Sequence, residues 1–312
     1  GFNLSGPIIK NKLFFFTAYE YDKIQEDTII DVYVPVNNSS SFSLPAPTHP
    51  NERVCSSTAT VNVGNPPVAT SVCDIDSPTA IYVAPYRAFA DTPSRKHLFS
   101  TRADWNLNDK NNFTFGYQLG RTNDLRQFSG TNRLADALIG RVRNTDAFNG
   151  TYNYVASANL VNQFRFQYSR LRPNATASAG ADAPVILVGG FTPPGENFTN
   201  TQIYSASTSG SSDRREDRWQ FQDTLTYVAG NHNLKFGFDY MRVNSQYIDR
   251  FDVTGTYNFS SFFFFNQNSV SSFSQNFNTD SVVKNNYYGV FANDDWRVRP
   301  NLTVGFGLRY ER

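Results

Sequence analysis

The sequence has few of the residues and segments that support a helical membrane protein or a metal-dependent enzyme. Its 312 residues include only two cysteines, one methionine and three histidines. No run of eighteen apolar residues occurs, which excludes a transmembrane helix as the way across a bilayer. The histidines, His49, His97 and His232, lie far apart without the spacing of a metal site, so the sequence predicts no metal and no cofactor.

The chain also lacks an excess of charge of either sign. Lysine and arginine number 28 against 27 acidic residues, so the balance gives no support for a nucleic-acid partner. Catalytic constellations are missing too. The neighbouring carboxylates Glu216 and Asp217 fall on opposite faces of a strand, and Gly305-Phe306-Gly307 lacks the third glycine of a phosphate loop. The sequence therefore predicts no catalytic residues and no enzyme.

The two cysteines, Cys55 and Cys73, both lie inside the first long loop. Two cysteines so placed predict one local disulfide formed in an oxidising compartment. Closing a loop of this size stabilises it by about 3 kcal/mol in the chain-entropy model. Two free thiols are the alternative, and metal binding is disfavoured because His49 is the only imidazole nearby.

Aromatic residues are abundant, with 28 Phe and 17 Tyr, and they alternate with polar residues at the period of a β-strand. In 113–120, for example, Phe113, Phe115 and Tyr117 lie on one face and polar or small residues on the other. The same pattern occurs in 97–107, 160–171, 218–228, 234–242 and the hairpin 288–310. The alternation predicts strands with one apolar face and one polar face.

The polar face decides which surroundings these strands can have. It is predicted to carry Arg102, Asp104, Arg165, Arg218, Asp239, Asp294 and Arg309. These side chains suit either a water-facing outer surface or the polar lumen of a barrel. Strands of about ten residues, tilted by about 40°, span about 25 Å, the height of the apolar band of an outer membrane. Strands in soluble domains more often have about five or six residues.

The connections between the strands alternate strictly between short and long. Short joints are predicted at 10–12, 108–112, 156–158, 229–233 and 299–301, and long polar loops at 24–96, 122–145, 173–213 and 249–283. Barrels that cross a bilayer have short turns on one side and long loops on the other. The predicted fold is therefore all-β: an antiparallel up-and-down transmembrane β-barrel segment of about ten strands with long extracellular loops.

Aromatic residues near the strand ends are predicted to lie at the membrane interfaces, as the girdles of such barrels do. The interfacial candidates are Trp105, Trp219, Tyr240, Trp296 and Tyr310. A soluble β-protein with large aromatic cross-strand pairs is the alternative interpretation. One loop, 257–278, is rich in Phe, Ser and Asn. It either contacts a sugar or peptide by stacking or extends a strand that packs on its neighbours, and the second interpretation is preferred.

Three segments resemble hairpins of one family of barrels. They are Gly6-Pro7-Ile8-Ile9-Lys10-Asn11-Lys12-Leu13-Phe14-Phe15-Phe16, then His232-Asn233-Leu234-Lys235-Phe236-Gly237-Phe238-Asp239-Tyr240, and Tyr288-Gly289-Val290-Phe291-Ala292-Asn293-Asp294-Asp295-Trp296-Arg297. In this order they are similar to the barrel of TonB-dependent transporters of the Oar-like type. The third match continues through 300–303 to 307–311. The loops between the matches carry no usable resemblance.

The resemblance implies a barrel of about 22 strands around an N-terminal plug. It also implies the bacterial outer membrane, with its lipid as one partner and an inner-membrane energy-transducing complex as another. Residues 1–312 are expected to be a partial barrel domain without a plug, and both ends look cut. The implied function is uptake of a large nutrient, an oligosaccharide, peptide or chelate, whose identity the sequence leaves open. An outer-membrane structural or adhesion protein, or a porin, is the alternative.

Overall fold

The structure is a computed structural model that describes residues 1–55, 58–63, 68–73, 81–126, 132–180, 182–192, 200–205, 212–250, 252–277 and 280–312. The strands of these residues are β1 (Phe2–Ile9), β2 (Leu13–Ile24), β3 (Asp27–Pro35), β4 (Val54–Cys55), β5 (Thr58–Val63), β6 (Val68–Cys73), β7 (Tyr82–Asp91), β8 (Ser94–Asn108), β9 (Asn111–Arg126), β10 (Ile139–Ser157), β11 (Leu160–Ala177), β12 (Val185–Phe191), β13 (Asn200–Ser205), β14 (Ser212–Ala229), β15 (His232–Asp249), β16 (Thr256–Phe259), β17 (Ser272–Ser274), β18 (Asp280–Arg299) and β19 (Leu302–Glu311). One α-helix, α1 (Phe262–Asn266), and two 3₁₀ turns, Pro50–Glu52 and Ala135–Ala137, complete them. No helix of the described residues has the length and apolarity to cross a membrane.

Ten strands form one large sheet, which we call the wall. Its order is β1-β2-β8-β9-β10-β11-β14-β15-β18-β19, and every neighbouring pair is antiparallel. Strands that are neighbours in the wall also follow one another along the chain, apart from the smaller strands within the long loops. The predicted up-and-down arrangement of about ten strands is confirmed.

Five tight turns join the wall strands at one end. They follow β1, β8, β10, β14 and β18, at the short joints that the sequence predicts to within two or three residues. Asn11 has a φ of 61° and Gly230 a φ of 60°, a left-handed backbone that asparagine and glycine tolerate best. In the β8–β9 turn the Asn108 side chain accepts a hydrogen bond from the backbone N–H of Lys110, at 3.0 Å. Residues within the turns therefore stabilise the turn conformations at this end of the wall.

At the other end the wall strands continue further than predicted. From β8 to β18 they have between 15 and 20 residues, and the second long loop shrinks from the predicted 122–145 to 127–138. A strand of 18 residues, as β14 has, rises about 45 Å at a tilt of about 40°, about 20 Å more than the apolar band. The sequence missed these extensions because the alternation of apolar and polar residues stops there, as in the charged run 213–217.

The long loops fold into a second unit rather than remaining irregular. It contains a sheet of order β3-β7-β4, a sheet of order β13-β12-β16-β17 and the hairpin β5–β6. We call the described residues of 25–93, 127–138, 178–211 and 250–279 the cap. Its core consists of Ile30, Val32, Val34, Val83, Leu134, Ile186, Val188, Phe191, Tyr204, Phe259, Phe262 and Phe265. All four long loops contribute to this core, so they fold as one body.

Hydrogen bonds between loops add to the cap. The Tyr204 hydroxyl of the third loop donates to the backbone carbonyl of Tyr33 in the first, and burial raises the pKa of that hydroxyl well above its usual value. Strand β12 of the third loop pairs in parallel with β16 of the fourth. The Asn268 side-chain oxygen accepts the backbone N–H of Ser41, at 2.7 Å. The Tyr204 bond satisfies a hydroxyl that the cap buries, and the bond between the exposed Ser41 and Asn268 joins the first loop to the fourth.

The phenylalanine-rich segment of the fourth loop forms α1. Phe262 and Phe265 are fully buried, and the Phe265 ring packs edge-on against Phe259 with centroids 5.2 Å apart. Phe264 stays 40% exposed. The preferred interpretation, packing on neighbours, is therefore confirmed, but the packing element is a helix and not the strand extension that was predicted.

We expect Phe265→Ala to loosen the cap and leave the wall intact. Removing a buried phenylalanine ring costs about 3–5 kcal/mol, and this ring lies in the cap core alone. The test is limited proteolysis of the full-length protein in detergent, with heat-modifiable gel mobility as the readout of the barrel. Phe264→Ala, one residue away and exposed, is the matched control, and the protease should cleave this variant no faster than the wild type. Equal cleavage of both variants would contradict this account of the core.

Candidate functional site

One face of the wall, which we call the outer face, carries a continuous series of aromatic and aliphatic side chains. Directly paired residues share a face of a sheet, and the register places Tyr117 opposite Phe148, Phe148 opposite Tyr168, and Tyr168 opposite Trp219. The rings of Tyr168 and Trp219 lie with centroids 4.3 Å apart. The same face continues from Phe2 on β1 to Leu308 on β19 through consecutive pairs. It is the face that the sequence predicts to contact lipid.

Aromatic side chains of the outer face cluster at two levels. The lower level, beside the turns, contains Trp105, Tyr154, Tyr227 and Trp296, and the upper level contains Tyr117, Tyr168, Trp219, Tyr240 and Tyr288. On β14, Trp219 and Tyr227 are eight residues apart, which is about 20 Å of height for a tilted strand. The two levels are thus separated by nearly the height of an outer-membrane apolar band.

Four of the five interfacial candidates lie in these levels: Trp105 and Trp296 in the lower, Trp219 and Tyr240 in the upper. Tyr310 is opposite Val290, two residues along β18 from Tyr288, so it lies slightly inside the upper level. Their role as interfacial anchors stays a prediction.

Asp294 lies on the outer face, and its prediction for the polar face is wrong. It is paired with Leu234 on one side and Phe306 on the other. Its Oδ2 lies 2.6 Å from Nδ1 of His232, whose ring stacks on Trp296 with centroids 5.5 Å apart. The two rings cover the carboxylate, which explains how an acidic residue occupies an apolar face. The adjacent Asp295 takes the polar face instead.

Asp223 is a second carboxylate on the outer face, and it lies midway between the two aromatic levels. It is opposite Phe164 and Phe238, four residues from both Trp219 and Tyr227. Asn162 donates a hydrogen bond from Nδ2 to its Oδ1, at 2.8 Å. The sequence analysis gave this residue no role, although its position within the alternation of 218–228 places it on the apolar face.

The opposite face, the inner face, is polar and internally hydrogen-bonded. Arg102 donates hydrogen bonds from two nitrogens to the carboxylate of Asp104, both at 2.8 Å, and the Thr114 hydroxyl donates to the same carboxylate at 2.8 Å. Gln220 and Gln222 both donate to Asp239, at 3.1 and 3.0 Å. The other charged residues predicted for this face, Arg165, Arg218 and Arg309, do lie on it. Such a surface suits a water-filled lumen.

Small residues let neighbouring side chains lie flat across the inner face. A Cβ on Gly237 would come within 2.0 Å of the Phe291 ring, and one on Gly307 within 2.2 Å of the Asn293 side-chain oxygen. Gly307 therefore relieves crowding on this face.

Two cavities of the inner face could receive a polar solute. One of about 200 Å³ is lined by Asn149, Thr151, Arg165, Gln167, Gln220 and Gln222. The other, of about 410 Å³, lies nearer the cap, and its walls include Arg141, Arg143, Arg214, Asp124 and Tyr247. Amides and guanidinium groups at such positions offer hydrogen bonds to sugar hydroxyls, peptide groups or carboxylates. Within the described ranges no group of three or more metal-ligating side chains occurs.

Of the two cysteines, Cys55 is described fully. It lies in β4 opposite Tyr82 and is disulfide-bonded. Cys73 ends β6, and its side chain lies outside the described residues. The pairing of Cys55 with Cys73 therefore stays a prediction.

Comparison with known proteins adds the following. The family model described as outer membrane beta barrel domain matches residues 1–312. The outer membrane transporter YddB from Escherichia coli superposes on 99% of this chain with a TM-score of 0.59 at 10% identity, which shows the fold alone. The chain spans 32% of the YddB structure. A search of curated proteins finds no match.

Two structures of the ferric-catecholate import receptor Fiu from Escherichia coli K12 have lower similarity. The closed form gives a TM-score of 0.46 over 74% of this chain and 37% of that chain, at 10% identity. The open form gives 0.41 over 97% of this chain and 51% of that chain, at 9% identity. These scores are too low to support an argument.

We expect Val290→Arg to destabilise the protein in a bilayer by about 2–4 kcal/mol, because the side chain lies on the outer face in the row of Asp223 and Phe238. Thr224→Arg is the control at matched depth on the inner face, where water solvates the guanidinium group. Unfolding free energies in phospholipid bilayers measure both. Equal costs for the two variants would mean that the faces are assigned the wrong way round.

Asp223→Asn should stabilise the protein by about 1 kcal/mol above neutral pH, less than the cost of a basic residue at this depth. The change removes a charge from the middle of the outer face and keeps a group that can bond with Asn162. Unfolding in bilayers at pH 8 measures the effect, and Asn162→Asp, which adds a second carboxylate, should have the opposite sign. A destabilised Asp223→Asn protein would indicate that this carboxylate contacts protein and not lipid.

Proposed function

We propose, since this chain belongs to the outer membrane beta barrel domain family, that it supplies barrel wall and cap to a TonB-dependent transporter of the Oar-like type. The family and the YddB fold support the bacterial outer membrane as the location of the wall. In this proposal its outer face contacts lipid. The proposed cargo is a large polar nutrient: an oligosaccharide, a peptide or a chelate. The proposed energy source is an inner-membrane complex, as in the family that the three hairpin segments resemble.

The observation that carries the proposal is the cap. Four long loops share one hydrophobic core at the end of the wall opposite the tight turns, and the polar inner face of the wall contains two cavities. A plain diffusion pore gains nothing from joining its loops in this way, whereas a transporter needs a folded surface that captures cargo and delivers it to the lumen. The inner cavities lie on the path that the cargo would then take, and Arg143 and Arg165 are available there as hydrogen-bond donors.

Ten strands make up less than half of the about 22 strands of such transporters. In the proposed whole protein, other segments would therefore supply the remaining wall, the plug and the box that receives energy. An enzymatic role is not proposed. YddB is described as an outer membrane transporter, and the common wall architecture makes transport the first activity to test.

A second candidate function is adhesion. In the cap, Ile29 and Phe89 are cross-strand partners in β3 and β7, and they are 54% and 76% exposed. An exposed apolar pair at this position could contact another macromolecule. The adhesion hypothesis predicts that deleting the cap strands removes attachment to surfaces and leaves nutrient uptake unchanged.

The test uses the full-length protein in its host and in planar bilayers. A deletion strain should lose uptake of one class of large nutrient, and a protonophore should abolish that uptake in the wild type. Arg143→Ala should lower the uptake by about tenfold, since a hydrogen bond to a charged group contributes about 1.5–3 kcal/mol. Lys10→Ala, in a turn at the far end, is the control. Steady conductance without energy would identify a porin and overturn the transporter proposal.

A further inference from the structure

The outer face changes its charge directly above the upper aromatic level. Below that level the described outer face carries the acidic Asp223 and Asp294 and no lysine or arginine between the two levels. Above it, eight basic side chains face outward against four acidic ones. The basic residues are Lys23, Arg95, Arg121, Arg170, Arg172, Arg215, Arg242 and Lys284, and the acidic ones are Asp146, Asp213, Asp217 and Asp280. The whole chain, by contrast, has a net charge of only +1.

We propose that these basic residues form a belt that binds phosphate groups of lipid headgroups in the outer leaflet. We call the eight residues the basic belt. The ligand is a phosphorylated glycolipid held against the outside of the barrel, not a solute in its lumen. This binding site is separate from the transport path, so the proposal stands or falls independently of the proposed function.

The height of the basic belt matches lipid headgroups. Arg172 lies four residues beyond Tyr168 on β11, Arg215 four beyond Trp219 on β14, and Arg242 two beyond Tyr240 on β15. Such spacings correspond to a rise of about 5–10 Å above the upper aromatic level on a tilted strand. Aromatic girdles mark the boundary of the apolar band, so side chains at this rise meet the headgroups.

Two arginines of the basic belt are held in place by one carboxylate. Asp217 accepts the Nε–H groups of Arg170, at 2.6 Å, and Arg215, at 2.8 Å, and the hydroxyl of Tyr168 at 2.9 Å. Because Asp217 takes only the Nε–H of each guanidinium group, the terminal N–H groups remain for a further acceptor. Guanidinium groups fixed in this way bind phosphate oxygens with little loss of side-chain freedom.

Other members of the basic belt have charges that the protein does not compensate. Arg172, Arg242 and Lys284 are exposed and form no ion pair within the part of the chain that the structure describes. Lys23 and Arg95 are direct cross-strand partners, an arrangement of like charges that is unfavourable unless an anion lies beside it. The strand positions thus concentrate positive charge where an anionic surface would relieve it.

A cavity within the basic belt offers one specific position for a phosphate group. It has about 290 Å³, opens on the outer face and is lined by Arg172, Asp213, Arg215, Gln246 and Ile248. Two guanidinium groups and an amide supply donors around it, and Ile248 supplies an apolar contact. Phosphate oxygens accept hydrogen bonds from guanidinium groups in a bidentate geometry, so the two arginines that line this cavity suit a phosphate group.

The test measures lipid binding by the full-length protein in nanodiscs. The probes are bisphosphorylated lipid A, its monophosphoryl form and phosphatidylcholine. We expect the double variant Arg172→Gln/Arg242→Gln to bind bisphosphorylated lipid A about thirty-fold more weakly than wild type, from two lost charges near a membrane surface. Arg172→Lys/Arg242→Lys keeps the charge and should retain most of the binding. Gel mobility before and after heating checks that each variant is folded.

The matched control is Arg143→Gln/Arg165→Gln, which removes the same charge from the inner face of the wall. It should bind lipid A as wild type does. Equal weakening in the control, or equal binding of bisphosphorylated lipid A and phosphatidylcholine, would overturn the proposal. So would displacement of lipid A by millimolar inorganic phosphate alone, because the site would then be specific for free phosphate and not for a lipid surface.

Discussion

The cross-strand register of the wall is the constraint on which every other feature depends. Side chains alternate between faces with a period of two, so a shift of one residue on any strand would exchange its lipid and lumen surfaces. Trp219 would then face the lumen and Arg218 the bilayer. The register is set at the tight turns, and four of the five hairpins have an irregularity directly beside the turn, as between Val155 and Ser157. The turns at one end therefore determine which side chains along the whole strand face lipid and which face water.

The outer and inner faces of the wall stabilise charged side chains in different ways. Between the two aromatic levels of the outer face, the stacked rings of His232 and Trp296 cover the carboxylate of Asp294. On the inner face, charges bond with one another and with amides, as Arg102 does with Asp104. The wall thus combines an aromatic outside with a hydrogen-bonded inside, and the strands need no hydrophobic core of their own because the membrane takes its place.

The sequence predicted the wall well and the cap poorly, for a physical reason. A strand between lipid and water has an apolar residue at every second position and a polar or small residue between them. The aromatic residues Phe113, Phe115 and Tyr117 therefore predict both the strand and the face that contacts lipid. Asp294 was assigned to the polar face because of its charge, although the period-two alternation places it on the face of Val290 and Trp296. The strand extensions and the cap have no such contrast. The side chain of Gln202 is almost fully buried, and its oxygen accepts a hydrogen bond from the backbone N–H of Tyr33, 169 residues away. No local sequence pattern encodes such a contact.

The shared core of the cap has a consequence for the order in which the chain can fold. Ser39 and Asn266 are bonded across 227 residues, and Val32 from the first loop shares its core with Phe265 from the fourth. Contacts so distant in sequence close late and slowly. The first loop therefore stays without its final packing until the fourth has crossed to the same side of the membrane. The fourth loop follows β15 in the chain, so the cap core can form only after the wall strands as far as β15 have been inserted. Formation of the cap is therefore a late step of barrel assembly.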